Sequence, residues 1–383
     1  MMNLHFTDEQ QALWDNIVAF VGTSLDLENT VEADKQGVFS HENWRAIAQK
    51  GILGYSFETA YGGTDYDMVT SMVATEALGY ACHDNGLLLA VNGQMWSVQS
   101  TLSQFANDEQ KERYLKPLIE GTKFGAHGVT EPDYGSHVFG MQTHAEKVNG
   151  GYVLNGKKAY VGLAPIADVI LVYATTNPDL GSWGITAFIV DGDSEGIQAS
   201  APAETMGLRT TVLGSIMFEN VFVPEENILG KVGAGASIFN KSVERERCLG
   251  FGSHVGAMRR QLEATIAYAK GRKQGDQPIS KYQAVSHKIA DMRVRLETSR
   301  LLLYQCASLI DTNQPITMAS AIAKLTISEN FVANSMNALR IHGAYGYLSE
   351  SEVERDLRDS LGGIIYVGTS DIQRNIIAGL LEL

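Results

Sequence analysis

The 383-residue chain carries 44% hydrophobic and 19% charged residues, values of a globular protein long enough for two or three domains with substantial cores. Its formal net charge of -14 excludes a nucleic-acid surface, which needs clustered Lys and Arg, so any anionic ligand must meet a local basic patch. No stretch approaches the roughly 18 apolar residues of a membrane span, and Cys82, Cys248 and Cys306 lie far apart without metal-type spacing, which reads as reduced thiols in a cytoplasmic protein without a metal site.

The opening Met1-Met-Asn-Leu-His-Phe-Thr-Asp8 lacks a basic region followed by an apolar run, so no secretory signal is expected there. Thr7 with Gln10 makes a capping box. Leu13, Ile17, Phe20 and Val21 recur behind it at helical spacing, which predicts an amphipathic first helix. Ser40 to Lys50 is the second expected helix, stopped by Gly51. Met68 to Tyr80, Leu87 to Phe105 and Asp108 to Glu120 complete an N-terminal α-helical domain over residues 1–122. From Phe124 short β-rich runs take over: Gln142 to Val148, Tyr152 to Leu154, Lys158 to Val161, Val169 to Thr175, Ile185 to Val190 and Ile216 to Val223. Asn149-Gly150 and Asn155-Gly156 are hairpin signals, so residues 123–230 read as a middle antiparallel β domain, a small sheet or barrel. Beyond Ala234 the pattern is helical again. Val285, Ile289, Met292 and Leu296 share one face and Met318, Ile322 and Leu325 another, which predicts a C-terminal four-helix bundle over 231–383.

Three blocks stand in order near the C-terminus: Arg340-Ile-His-Gly-Ala-Tyr-Gly-Tyr347, Val353-Glu-Arg-Asp-Leu-Arg-Asp359 and Ile365-Tyr-Val-Gly-Thr-Ser-Asp-Ile-Gln-Arg374. Upstream lie Val129-Thr-Glu-Pro132 with Gly135-Ser136, and the turn Arg272-Lys-Gln-Gly-Asp-Gln-Pro278. Together these resemble the signatures of the acyl-CoA dehydrogenase family, whose fold has the same order of helical, β and helical parts. The resemblance implies FAD as cofactor. It assigns His127, Val129, Thr130, Gly135 and Ser136 to the loop that brings backbone N–H groups and hydroxyls to the flavin, with His137 where the family usually has aspartate. Tyr160 stands where the family commonly has a tryptophan against the ring, and Gly162 where it has a threonine near N5. Arg272 matches an arginine that reaches the FAD pyrophosphate of a neighbouring subunit, as a guanidinium fork suits phosphate oxygens, which implies a homotetramer or dimer, and Gln283 matches a further FAD contact. Arg340, Gly343, Thr369 and Asp371 fall among the family's C-terminal cofactor contacts.

One position departs. Val367 stands just before Gly368-Thr369, where most of the family carries its catalytic glutamate. Glu244-Arg-Glu-Arg247 lies in ungapped register with Arg272 and aligns with the helix on which isovaleryl-CoA and long-chain dehydrogenases carry theirs. The resemblance therefore selects Glu246 as the base, with Glu244 as the reserve candidate and otherwise, like Arg247, a substrate contact. At about 100° per residue, Glu244 and Arg247 are expected to share a face, with Glu246 pointing elsewhere. Valine keeps the backbone N–H that polarises the thioester carbonyl in the family, so Val367 remains a substrate contact, with Ser136. The relocated base, with Gly362-Gly363 clearing bulk, resembles the branch that oxidises a prolyl group held as a thioester on a peptidyl or acyl carrier protein in natural-product biosynthesis. The implied activity is FAD-dependent α,β-dehydrogenation of that thioester, with dioxygen or an electron-transfer flavoprotein taking the electrons. A short- or branched-chain acyl-CoA dehydrogenase of the isovaleryl type is the alternative, and a non-catalytic flavoprotein is the alternative of another class. An acidic carrier docking on this acidic chain needs a local basic cluster, and Arg259, Arg260 and Lys270 to Lys273 are the densest basic positions. Gly250, Gly252 and Gly256 miss the spacing of a dinucleotide fingerprint.

Overall fold

The computed structural model describes residues 6–383; Met1 to His5, part of the segment read for a secretory signal, lie outside the described residues. Thr7 caps α1 (Asp8–Ser24) through the expected box, its hydroxyl accepting from Gln10 N while the Gln10 side chain accepts from Thr7 N. A helix that the pattern does not announce, α2 (Thr30–Gln36), precedes α3 (His41–Gln49); it buries only Thr30 and Asp34 and so shows no apolar stripe. α4 (Met68–Ala81) is buried on nearly every side. Two helical runs follow, each with a π-helical stretch inside it. The first is α5 (Asn85–Asn92), the π stretch Gly93–Gln99 and α6 (Ser100–Phe105). The second is α7 (Asp108–Gln110), the π stretch Lys111–Leu115 and α8 (Lys116–Ile119). A π register rotates the side chains that follow it, a device frequent at functional sites.

The strands β1 (Gly125–Gly128), β2 (His144–Val148), β3 (Gly151–Gly162), β4 (Val169–Thr175), β5 (Ile185–Asp191), β6 (Ile197–Ala199), β7 (Leu213–Pro224) and β8 (Ile228–Leu229) form one eight-stranded sheet. Its order is β6-β7-β3-β2-β4-β5-β8, with β1 beside β4, and pairing is antiparallel except that β1 and β2 each run parallel to β4. β1, β6 and β8 are too short to stand out in the sequence. Asn149-Gly150 is the β2–β3 hairpin, as expected. Asn155-Gly156 is not a turn: β3 runs through it for 12 residues, and the pair forms a bulge against β7. Gly156, at φ 144°, packs on Thr143, and Asn155 accepts from Asn220 N at 2.8 Å, so cross-strand contacts hold extended a dipeptide whose local preference is to turn.

The C-terminal part comprises α9 (Gly235–Leu249), α10 (Gly252–Gly271), α11 (Gln283–Asp311), α12 (Thr317–His342), α13 (Glu352–Gly363) and α14 (Ser370–Leu380). α10, α11 and α12 pack on one another and α10 also on α4, which joins both helical parts in a shared core. On α11 Met292 and Leu296 are buried, with Val285 and Ile289 at the margin. On α12 the buried stripe is Ala321, Lys324, Ile327, Ser328 and Phe331, whereas Met318, Ile322 and Leu325 are only half-buried, so the face turned to the core is offset from the one that the periodicity picks out. Gly79 on α4 and Gly256 on α10 meet backbone to backbone. A Cβ on Gly256 would stand 2.0 Å from Glu76 O, and one on Gly79 2.1 Å from Ser253 O. Gly256→Ala is therefore expected to destabilise the protein by about 1–3 kcal/mol through overpacking. Denaturant unfolding checks this, and an unchanged midpoint would mean that the two helices part freely.

Candidate active site

A cavity of about 840 Å³, within the range of cofactor pockets, lies where the three parts meet. α9 forms one wall, with Phe239, Asn240, Val243, Glu246, Arg247 and Gly250 recurring along it at helical spacing. The β part contributes His127, Val129, Thr130, Gly135, Ser136, Tyr160 and Gly162, and the C-terminal loop Tyr366, Val367, Gly368 and Thr369. The first π stretch contributes Gly93 and Ser97.

Glu246 is half-buried on the α9 wall, where Ser97 Oγ donates to its Oε1 at 2.5 Å. Burial pushes its carboxyl up to about 7, with the Ser97 hydrogen bond and the Arg247 charge opposing the rise. Arg247 lies beside it with its Nε buried and without a hydrogen-bond partner among the described residues. Glu244 lies outside the cavity. Its carboxylate accepts from Thr317 on α12 at 2.5 Å and pairs with Lys241 at 3.3 Å, which engages it away from the cavity. The expected face is corrected accordingly: the cavity stripe of α9 runs through Val243, Glu246, Arg247 and Gly250, and Glu244 turns to α12.

Backbone strain collects around this space. Tyr160 at φ 56°, Leu163 at 62°, Leu208 at 55° and Val367 at 56° all line the cavity in the left-handed region that side chains disfavour. The Gln373 side chain donates to Val367 O at 3.3 Å and Gly368 O at 3.0 Å, pinning the loop and leaving the Val367 N–H without a partner among the described residues. Tyr366 bonds His254 Nε2 at 2.7 Å; burial, then the Lys324 charge, push that imidazole down to about 3, so it is neutral and the phenol donates. Gly362 lines the cavity, but Gly363 faces Phe251, His254 and Ser328, so only one of the two glycines opens space.

On the β side Lys158 and Glu131 form a buried ion pair at 2.9 Å. Lys158 also donates to Val129 O at 3.0 Å, and Glu131 accepts from Gln142 N at 2.6 Å and Thr143 N at 2.9 Å, which ties the 129–136 loop to β3. Burial pushes Lys158 down to about 8. Burial also opposes the charge on Glu131, but Lys158 and the surrounding donors hold that carboxyl below its ordinary value. His127, pushed down to about 4 by burial, is neutral, with Nε2 3.4 Å from the Tyr173 hydroxyl. A Cβ on Gly135 or Gly162 would meet nothing within 4 Å, so both glycines border open space of the kind a planar ring system can fill. Sequence reasoning missed Ser97, which belongs to no motif, and it missed the Lys158–Glu131 pair, whose members stand 27 residues apart.

Arg272, Gln283, Arg340, Gly343 and Asp371 are exposed and lie outside the cavity of this chain. Tyr268, one turn before Arg272, stacks on His342 and Tyr345, so the Arg272 turn sits beside the 340–343 segment. Two of the expected docking cations are engaged internally. Arg259 lies over the Trp14 and Tyr80 rings and pairs with Glu263, while Arg260 donates to Gly79 O and Cys82 O and pairs with Asp356. Both hold α10 against neighbouring helices, which corrects their reading as a docking patch; Lys270 to Lys273 remain exposed.

Sequence profiles described as acyl-CoA dehydrogenase N-terminal, middle and C-terminal domains match residues 7–122, 126–221 and 233–381. The chain belongs to the acyl-CoA dehydrogenase family. This acyl-CoA dehydrogenase homologue is 39% identical over 346 residues to the L-prolyl-(peptidyl-carrier protein) dehydrogenase of Pseudomonas fluorescens, which covers 90% of this chain and 91% of that one. Its fold matches the crystal structure of the prolyl acyl carrier protein oxidase AnaB with a TM-score of 0.98 at 38% identity, over 99% of this chain and 100% of that one. It matches PigA with FAD and proline with a TM-score of 0.96 at 33% identity, over 100% of both chains. Among the described residues of this family member, no helix is long and apolar enough to cross a membrane, and no group of three or more metal-ligating side chains forms.

Proposed function

We propose that this protein is an FAD-dependent enzyme that dehydrogenates a prolyl group carried as a thioester on a peptidyl or acyl carrier protein, acting in the cytoplasm as a homotetramer or dimer. The observation that carries the reading is Glu246, a carboxylate raised towards neutrality in the same cavity as the Val367 N–H, which has no partner among the described residues. Likeness to a dehydrogenase and an oxidase of prolyl carrier proteins supports the substrate. Val129, Thr130, Gly135, Ser136, Tyr160, Gly162 and Thr369 would hold the flavin end, and the N-terminus of α14, capped by Thr369, favours an anionic pyrophosphate. Arg272, Gln283, Arg340, Gly343 and Asp371, exposed on this chain, suit the far end of an FAD bound by a second copy.

When bound, FAD supplies the acceptor for the hydride that leaves the β-carbon. Glu246 takes the α-proton, which its raised proton affinity suits near neutral pH. The Val367 N–H donates to the thioester oxygen and stabilises the negative charge that develops there as the proton leaves. Arg247 offers its Nε–H, which has no acceptor among the described residues, to the substrate beside the base. Dioxygen or an electron-transfer flavoprotein would take up the electrons.

The test is mass analysis of acyl groups after incubating the purified holoenzyme with prolyl-carrier protein, prolyl-CoA and isovaleryl-CoA. The expected result is loss of a hydrogen pair from the carrier-bound prolyl group. Rapid oxidation of prolyl-CoA without preference for the carrier would remove the carrier from the reading. Oxidation of isovaleryl-CoA alone would establish the branched-chain alternative, and flavin retention without turnover of any thioester would leave a non-catalytic flavoprotein.

A further inference from the structure

We propose that Ser97 is a positioning residue for the base: it fixes Glu246 by donating to Oε1 and so leaves Oε2 as the oxygen that takes the substrate proton. The inference rests on the reading of Glu246 as the base. It starts from an unusual choice of partner. A hydroxyl inside a helix ordinarily satisfies itself on the carbonyl one turn earlier, as Thr101 does by donating to Ser97 O at 2.6 Å. Ser97 instead reaches across to Glu246 Oε1 at 2.5 Å, while no described residue bonds Oε2. It sits in the π stretch Gly93–Gln99, whose altered register sets which side chains meet α9.

The contact is half of a two-point zip. Thr101, one turn after Ser97, bonds the hydroxyl of Ser242, one turn before Glu246. Ser97 and Thr101 thus meet Glu246 and Ser242 in antiparallel register, and the short hydroxyl side chains let the two helices approach. The N-terminal part thereby sets where the α9 carboxylate points. With Oε1 engaged, the free lone pairs of Oε2 are those open to the cavity, and the α-proton forms its new O–H bond there while Ser97 keeps its own proton.

The charges around Glu246 decide what a pH measurement reports. Arg247 is next to it on α9, and Lys324 on α12 is pushed down to about 8 by burial, with the Glu329 charge opposing the fall and the Arg247 charge adding to it. The phenols of Tyr173 on β4 and Tyr366 beside Val367 are raised by burial, with the Glu246 charge adding to it, and stay protonated. His127 and His254 are neutral. Lys241 and Thr317 engage Glu244 rather than Glu246. Every one of these groups is the same in a Ser97 variant, so a change in the titration of the base isolates the Ser97 hydrogen bond.

The experiment compares wild-type holoenzyme with Ser97→Ala, Ser97→Thr and Ser97→Cys. The readouts are the pH profile of turnover and an infrared titration of the Glu246 carboxyl C=O stretch, assigned by difference against Glu246→Gln. Losing a hydrogen bond to a charged group should raise the acid limb and the carboxyl titration by roughly one pH unit. With the limb moved from about 7 to about 8, turnover at pH 7 should fall about fivefold with KM unchanged. Ser97→Thr should restore both readouts, and Ser97→Cys, a weaker donor, should lie between. Should Ser97→Ala not fold, the cysteine variant decides alone. An acid limb and carboxyl titration that coincide with wild type in the alanine or cysteine variant overturn the assignment of Ser97. Retained turnover in Glu246→Gln is a separate failure, that of the base itself.

Discussion

Glu246→Gln is expected to lower turnover by a factor on the order of 10² or more, the scale of removing a general base, while the purified variant keeps its bound-flavin absorbance. The side chain keeps its size, and its carbonyl oxygen can still accept from Ser97, so the loss is of proton-accepting capacity and not of shape. The pH dependence has the same cause. Burial raises this carboxyl to about 7, so below that pH it already carries a proton, and wild-type turnover should rise with pH through about 7. A solvated glutamate would place that limb near pH ~4. Rapid-mixing measurement of flavin reduction separates the proton step from the choice of electron acceptor. Glu244→Gln is the companion measurement. It should reduce flavin at close to the wild-type rate, because Glu244 is bonded to Thr317 and Lys241 outside the cavity. The reverse pattern would move the base from position 246 to 244.

What the sequence made legible follows from the range of the interactions involved. Motif segments such as Val129 to Ser136, Tyr160 to Gly162 and Val367 to Thr369 could be read because each is a short contiguous stretch, and all three line the one cavity. The long helices could be read because their buried stripes repeat within a few turns. The failures share a different cause. Asn155-Gly156 has the local preference of a turn, but Thr143 and Asn220, distant in sequence, hold it extended. Periodicity correctly separated Glu244 from Glu246 on α9. It could not say which of their two faces meets the cavity, since that depends on how α9 wedges between α12 and the first π stretch. Arg260 counts as a surface cation until Gly79 O and Cys82 O are seen to receive it. Ser97 left no trace for the same reason: a serine in a helical run announces neither its register nor a partner 149 residues away.

Lys158→Met is expected to destabilise the protein by about 3–5 kcal/mol, the scale of leaving one member of a buried ion pair without its partner. Lys158 is 0% exposed and the Glu131 side chain 5%, so solvent screens neither charge. Each pays a desolvation penalty that is offset by the other and by the hydrogen bonds to Val129 O, Gln142 N and Thr143 N. Removing the ammonium leaves a carboxylate with two backbone donors and no counter-charge. Because the pair ties the 129–136 loop to β3, flavin retention should weaken in proportion, and FAD added during unfolding should protect the variant less than the wild type. Placing Glu131→Gln in the Lys158→Met background removes the orphaned charge and keeps an acceptor for one of the two N–H groups, so the double variant should regain part of the lost stability. Denaturant unfolding of the four proteins, with and without FAD, measures the coupling. A Lys158→Met protein that unfolds at the wild-type midpoint with its flavin in place would show that the pair holds nothing. A double variant no more stable than the single one would trace the loss to the packing of the lysine stem among its neighbours, and not to the charge it carries.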